Sequence, residues 1–100
     1  MYDLGCGVNQ LTSLDLSNNT ALSMLSCHYN QLTCLNVKNG NNVSMGHTYF
    51  VAYNNNLSCI EVDDPNWSTQ YWLSGNNFWG TNIDPGVTFS TNCNYPAGCF

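Results

Sequence analysis

The amino-acid sequence predicts a mainly β protein: a short repeat solenoid of about two and a half coils, followed by a disulfide-stabilised C-terminal cap. Three observations lead to this prediction. An apolar motif returns after 21 residues and again after 25, six cysteines occur in 100 residues, and an Asp-Pro pair follows the last repeat. We therefore assign residues 1–62 to the coils and residues 63–100 to the cap.

The repeat has two interleaved units. The segment NQLTSLDL at residues 9–16 returns as NQLTCLNV at 30–37 and as NNLSCIEV at 55–62. The second unit, Leu22-x-x-Leu25-x-Cys27, matches residues 1–6 and, more loosely, Phe50-x-Ala52. Since side chains alternate along a strand, the Leu positions point inward and the x positions face solvent. The register predicts two apolar columns, Leu14/Leu35/Ile60 and Leu16/Val37/Val62.

Asparagine marks the corners between these units. Stacking the repeats aligns two sets of corner residues, Asn9/Asn30/Asn55 and Asn18/Asn39/Asp64. Asn tolerates left-handed backbone geometry and hydrogen bonds to nearby backbone, which suits a tight corner without a helix. The pattern leaves no room for a long convex helix.

This pattern resembles the 21-residue leucine-rich repeats of secreted bacterial surface proteins, many of which carry a type IX secretion sorting domain. The resemblance is in LTSLDLSNNTAL at residues 11–22, LSC at 25–27 and NQLT at 30–33, and in the cap-like segments 59–64, 67–69, 82–84 and 89–93. It implies an extracellular or cell-surface location, a binding or adhesion role, and no catalytic residues or cofactors. Residues 71–80 look like an insertion, and residues 94–100 depart from the family pattern.

The cysteines predict disulfides between coils and cap. Cys6 and Cys27 occupy inward positions and are expected to be thiols, whereas Cys34 and Cys59 point away from the core column. Neighbours stacked in register have β-carbons about 4.8 Å apart, which is too far for a disulfide. The better pairings are therefore Cys59 with Cys93 and Cys34 with Cys99. No Cys-x-x-Cys spacing supports a metal site.

The cap is predicted to contain one short helix and a final strand. Asp64 is placed to cap a helix that begins at Pro65 and extends over roughly residues 65–72. A turn at residues 75–77 and a strand at residues 87–89 follow. Five cap aromatics form either the core of the cap or a sugar-stacking platform: Trp67, Tyr71, Trp72, Phe78 and Trp79. Asp63, Asp64 and Asp84 are either calcium ligands or, as we favour, a helix cap and solvated carboxylates.

The candidate binding residues are the solvent-facing x positions and the two cap aromatics nearest the turn: Ser13, Asp15, Ser17, Asn36, Lys38, Glu61, Asp63, Phe78 and Trp79. The chain has a net charge of −5 and one basic residue, which disfavours nucleic acid and anionic membranes as partners. No apolar run is long enough to insert into a membrane.

Two functions remain open. The first is a non-enzymatic extracellular module that recognises a protein or glycan. The second is a subunit of an extracellular filament, which would assemble with copies of itself through an uncapped N-terminal coil. The edge of that coil comprises Met1, Leu4, Leu11 and Leu14.

Overall fold

The computed structural model describes residues 3–45, 49–72 and 83–100. Short strands dominate, since the L-x-L units supply only three alternating residues each. The elements are β1 (Asp3–Gly5), β2 (Ser13–Asp15), β3 (Met24–Ser26), β4 (Cys34–Asn36), a 3₁₀ turn (Asn42–Ser44), β5 (Phe50–Val51), β6 (Cys59–Glu61), α1 (Pro65–Trp72) and β7 (Thr88–Ser90). No helix in the described ranges is long and apolar enough to cross a membrane.

The strands form two parallel sheets, and the chain alternates between them. One sheet has the order β1-β3-β5 and the other β2-β4-β6-β7. Two consecutive strands, one in each sheet, make up one repeat. We call β1 with β2 the first strand pair, β3 with β4 the second, and β5 with β6 the third, although the two strands of a pair are not in the same sheet. The expected register is present, because Leu14 pairs with Leu35 and Leu4 with Leu25. The mainly β class and the parallel pairing of the repeats follow from this topology.

A single hydrophobic cluster lies between the sheets. Leu25 and Phe50 enter it from the first sheet, and Leu35 and Ile60 from the second; all four are fully buried. Leu4, Leu11 and Leu14 of the first strand pair pack against this cluster but are only partly buried. The other predicted edge residue, Met1, lies outside the described residues. Burial therefore decreases toward the first strand pair.

The first corner forms a ladder of asparagine side chains. The side-chain amide of Asn30 donates to the carbonyl oxygens of Cys6 and Cys27, and its oxygen accepts the N–H of Leu11. Asn55 repeats this pattern one strand pair later, with Cys27, Ala52 and the N–H of Leu32. Each asparagine thus satisfies backbone groups of its own corner and of the preceding one.

The left-handed residues of this corner are not the stacked asparagines, which corrects the expectation from sequence. Positive φ falls one residue earlier, at Val8 (59°), Tyr29 (54°) and Asn54 (56°). Of these, only Asn54 is a residue type that favours this conformation. The stacked asparagines are required for their side-chain amides, since a carbonyl and an amide on one short side chain can bridge two corners.

The second corner also differs from the expected stack of Asn18, Asn39 and Asp64. Asn39 does donate to the carbonyl oxygen of Asn19 in the preceding strand pair. In the third pair, however, the bridging residue is Asp63, whose carboxylate accepts the N–H groups of Gly40 and Asn42. Asp64 instead accepts a hydrogen bond from a residue that follows it, Asn66, because it caps the helix.

The cap contains the predicted helix and final strand. Asp64 Oδ1 accepts the N–H of Asn66 at 3.0 Å, as an N-cap does, and α1 spans residues 65–72. The Trp72 ring stacks on Phe50 with centroids 3.9 Å apart, and its Nε1 donates to the carbonyl oxygen of Met45. Strand β7 begins one residue later than predicted. The turn predicted at residues 75–77 lies outside the described residues.

The last ten residues, 91–100, run along the outer side of the second sheet, and we call them the strap. Two disulfides fasten it there, Cys59–Cys93 and Cys34–Cys99, which are the pairings favoured from sequence. Between them the Tyr95 hydroxyl contacts the carbonyl oxygens of Leu35 and Cys59. Most strap side chains are exposed, so the strap is held mainly by covalent and polar contacts.

Candidate functional site

The solvent-facing positions of the second sheet, where the sequence places the binding residues, lie beside the strap. Cys34 is only 3% exposed, since the strap lies across it. Cys93 donates its backbone N–H to Glu61 Oε1 at 3.0 Å, and the Lys38 ammonium donates to the carbonyl oxygen of Thr91. The strap therefore engages part of the face that the sequence analysis selects.

Several of the remaining predicted binding groups form local hydrogen bonds. Asp15 and Asn36 each accept the N–H of the residue two positions later, Ser17 and Lys38 respectively. Asp63 bridges the second corner, as described above. Ser13 is half-buried in β2 near the end of the strap. Of the predicted cap residues, Phe78 and Trp79 lie outside the described residues.

The two alternative readings of the cap are partly resolved. Trp72 is fully buried, so it belongs to the core and not to a sugar platform, while Trp67 is half-buried and Tyr71 is 37% exposed.

The three acidic residues considered as calcium ligands do not all lie in the same corner. Asp84 accepts the N–H groups of Asn54 and Asn55 in the first corner, whereas Asp63 lies in the second. The acidic residues are therefore not gathered. No cluster of three metal-ligating side chains occurs in the described part of the chain.

The outer face of the first sheet presents a groove instead. The groove has a volume of about 250 Å³, and the strap does not contribute to its lining. Strand β3 supplies one side and the segment around β5 the other. Its lining residues are Met24, Leu25, Ser26, His28, Tyr49, Val51 and Tyr53. Tyr49 is 50% exposed and Met24 41%, so large apolar surfaces face solvent here.

A gradient of side-chain size across the sheet creates this groove. In register, Gly5 pairs with Ser26, and Ser26 with Val51. The next outward position continues the trend from Gly7 to His28 to Tyr53. The first strand pair contributes glycine at these positions, and the third contributes large side chains. We call the β1 side of this face, at Gly5 and Gly7, the low edge. We call the rings of His28, Tyr29 and Tyr53 the aromatic wall.

Ring contacts and one hydrogen bond fix the aromatic wall. The His28 and Tyr53 rings stack with centroids 5.1 Å apart, and Tyr29 makes edge contacts with both. Ser26 Oγ lies 2.9 Å from His28 Nδ1. His28, Tyr29 and Tyr53 thus restrain one another, and the Ser26 hydroxyl fixes the imidazole ring. Binding groups held in this way lose little conformational entropy when a ligand arrives.

This groove is not among the predicted sites, because the predicted binding residues lie at the x positions of the unit that recurs most exactly and in the cap. The second unit also has outward positions, and these carry Met24, His28, Tyr49 and Tyr53. Large aromatic residues at alternating, solvent-facing positions of a strand were the available signal. Contiguous exposed patches of large apolar side chains mark interaction sites.

Two thiols remain in the described residues, Cys6 and Cys27, and both point into the core column as expected. Burial raises the pKa of both thiols, and for Cys27 the neighbouring Cys6 raises the pKa further. A thiol held protonated is a poor nucleophile and a poor metal ligand. These residues therefore act as small apolar side chains.

The comparisons with known proteins add no relative to this picture. The sequence matches no protein-family model, and no curated protein or solved structure matches it significantly.

Proposed function

We propose that this protein is a non-enzymatic extracellular recognition module of the leucine-rich-repeat solenoid type, which binds a protein or glycan ligand at a bacterial surface. One observation carries the proposal: the outer face of β1-β3-β5 forms an aromatic-lined groove without strap residues, whereas the strap crosses the other sheet. Concave surfaces with a few fixed aromatic and polar groups are typical of ligand sites.

The architecture supports the solenoid part of the proposal. Strands separated by one repeat pair in parallel and in register, and the chain alternates between two sheets with a common core. Asn30 and Asn55 each bond to the preceding strand pair, as expected of repeats that contact their neighbours in a stack. The leucine positions of the motif are the buried ones.

The cysteine chemistry supports an extracellular location. Two disulfides hold the strap, and such bonds persist in oxidising compartments outside the cytosol. A strap with mostly exposed side chains depends on them, since it buries little apolar surface of its own.

The proposal is tested by binding measurements on a panel of immobilised surface materials: mucin, collagen, fibronectin, peptidoglycan and insoluble cellulose. We expect the parent chain to bind at least one of them, and Tyr53→Ala to weaken that binding at least tenfold. Phe100→Ala is the matched control, because Phe100 is an exposed aromatic residue of the strap that does not line the groove. No binding to any material, or equal binding by Tyr53→Ala and the parent, would overturn the proposal.

A second function, a subunit of an extracellular filament, is favoured by a different observation. Strands β1 and β2 each pair on one side only within the described residues, and Leu4 in β1 and Leu14 in β2 are partly exposed. An unpaired strand edge with apolar neighbours is a template for association. We expect light scattering to detect assembly of the parent, and Leu4→Lys to disperse it without unfolding the cap. A monomeric parent that scatters like Leu4→Lys would exclude this function.

A further inference from the structure

The groove on the outer face of the first sheet contains no charged side chain among the described residues. Its seven lining residues include two tyrosines, one serine and one histidine, and none carries a carboxylate, ammonium or guanidinium group. The whole chain has a net charge of −5. An acidic ligand would be repelled by the chain and by the exposed Asp3, which pairs with Met24 beside the groove. Within the groove itself, a charged group would lose hydration without a charged partner.

Two tyrosine rings stand along the same wall of the groove. Tyr49 and Tyr53 are four residues apart, so their α-carbons are separated by up to about 13 Å in extended chain. Tyr49 is half exposed, and Tyr53 is held by its contacts with His28 and Tyr29. Two tyrosines along one side of the groove match an elongated ligand with more than one apolar surface.

Hydrogen-bonding groups lie between the rings and the low edge of the groove. Ser26 Oγ uses one of its hydrogen-bonding positions on His28 Nδ1, and a hydroxyl offers one donor and two acceptor positions in all. The two tyrosine hydroxyls add further donors and acceptors. A ligand that combines apolar faces with many uncharged hydroxyl groups would use both kinds of surface.

We propose, resting on the recognition function above, that the ligand of this groove is an uncharged glycan chain. Its sugar rings pack against Tyr49 and Tyr53, its hydroxyl groups bond to Ser26, and the chain continues over the low edge at Gly5, where nothing lies within 4 Å of a β-carbon position. The gradient of side-chain size leaves that edge open, so the glycan extends across the strands of the first sheet.

The test uses defined hexasaccharides and isothermal titration calorimetry on the full chain. The neutral probes are cellohexaose, laminarihexaose, mannohexaose and xylohexaose, and the acidic probe is a galacturonic acid hexamer. We expect at least one neutral probe to bind and the acidic probe to bind at least tenfold more weakly. Binding of no neutral probe, or preference for the acidic one, would overturn the proposal.

Variants locate the binding on the groove. We expect Tyr49→Ala and Tyr53→Ala each to reduce affinity at least tenfold, Ser26→Ala to reduce it severalfold, and Tyr53→Phe to retain it within about threefold because the ring remains. Phe100→Ala should bind like the parent, because Phe100 is exposed and does not line the groove. Tyr49→Ala is the decisive variant if Tyr53→Ala fails to fold, as shown by circular dichroism, since Tyr49 is half exposed. Unchanged affinity in folded Tyr49→Ala would place the glycan elsewhere.

The outcomes separate this proposal from the broader one. If collagen or fibronectin binds through Tyr53 while no neutral hexasaccharide binds, the recognition function stands and the glycan proposal fails. If neither class binds, both fail.

Discussion

The imidazole ring of His28 occupies the space beside Gly7: a β-carbon on Gly7 would lie 2.7 Å from Cε1 and 2.9 Å from Nδ1 of that ring. Real β-carbons do not approach other atoms so closely, so any residue larger than glycine at this position must displace the imidazole. The contact explains how the first strand pair accommodates a large side chain from the second. It also ties the low edge of the groove to its aromatic wall.

The variant Gly7→Ala should therefore displace the imidazole. Displacement disturbs both the stack on Tyr53 and the bond to Ser26, and we expect a loss of about 1–3 kcal/mol in the free energy of unfolding, as for other overpacked sites. Urea unfolding under oxidising conditions measures it. Gly5→Ala is the control, because nothing lies within 4 Å of a β-carbon there. Equal stability of the two variants would show that the ring moves without cost.

A second prediction concerns the asparagine ladder. Asn30 is buried and bonds to the backbone of two strand pairs, so Asn30→Ala should cost about 1–3 kcal/mol by leaving buried groups unpaired. Asn9 is exposed, and its side-chain amide donates only within its own corner. We expect Asn9→Ala to cost less than about 1 kcal/mol in the same unfolding experiment. Similar losses of unfolding free energy in both variants would mean that the hydrogen bonds between corners do not stabilise the fold.

The central apolar column gives the third prediction. Leu35 is fully buried between Leu14 and Ile60, so Leu35→Ala should cost about 2–5 kcal/mol. Val43, which is 69% exposed, provides the control, and Val43→Ala should change stability by less than about 0.5 kcal/mol. A loss below about 1 kcal/mol at Leu35 would contradict the register of the repeats.

The fourth prediction concerns the strap. Peptide mapping without reduction should link Cys59 to Cys93 and Cys34 to Cys99, and leave Cys6 and Cys27 as thiols. Removing the first link with Cys59→Ser/Cys93→Ser opens a loop with a sequence separation of 34, which should cost about 3–4 kcal/mol on the chain-entropy model. Cys6→Ala, which removes an unpaired thiol, is the control for loss of sulfur alone. A link between Cys34 and Cys59 would contradict the parallel stacking of β4 and β6.

The fifth prediction is a pH dependence. Burial and the neighbouring Cys6 raise the pKa of the Cys27 thiol above its ordinary value of 9.0. In the unfolded chain this thiol loses its proton at the ordinary pKa, whereas in the folded chain it keeps it. The contribution of this thiol to the free energy of unfolding is therefore fully present below about pH 9 and decreases as the pH rises above that value.

The variant Cys27→Ala isolates this effect, because alanine already occupies the equivalent position at Ala52. Between pH 8 and pH 10.5, the parent should lose more unfolding free energy than Cys27→Ala in matched denaturant titrations. Parallel pH profiles would mean that Cys27 is not buried in solution.

The repeats made much of this fold accessible from sequence. Spacing alone predicted the pairing of Leu14 with Leu35, and the Asp64-Pro65 pair predicted where α1 begins, because both depend on local periodicity and capping. The strap's course was not deduced, although the favoured cysteine pairs imply it: a segment bonded to both Cys34 and Cys59 must lie along the outer side of β4 and β6. The groove was missed for another reason. It depends on the size difference between Gly7, His28 and Tyr53 across three strands, which no single repeat contains.

In the first corner, side chains that come later in the chain accept backbone N–H groups of earlier residues. The N–H of Leu11 is accepted by Asn30, that of Leu32 by Asn55, and those of Asn54 and Asn55 by Asp84. Each of these acceptors lies 19 to 30 residues after its donor, so each of these corners is completed by a residue that is synthesised later. Unpaired backbone groups disfavour a closed state. A growing polypeptide therefore leaves its newest corner open until the next repeat emerges, and the last corner closes only when Asp84 arrives.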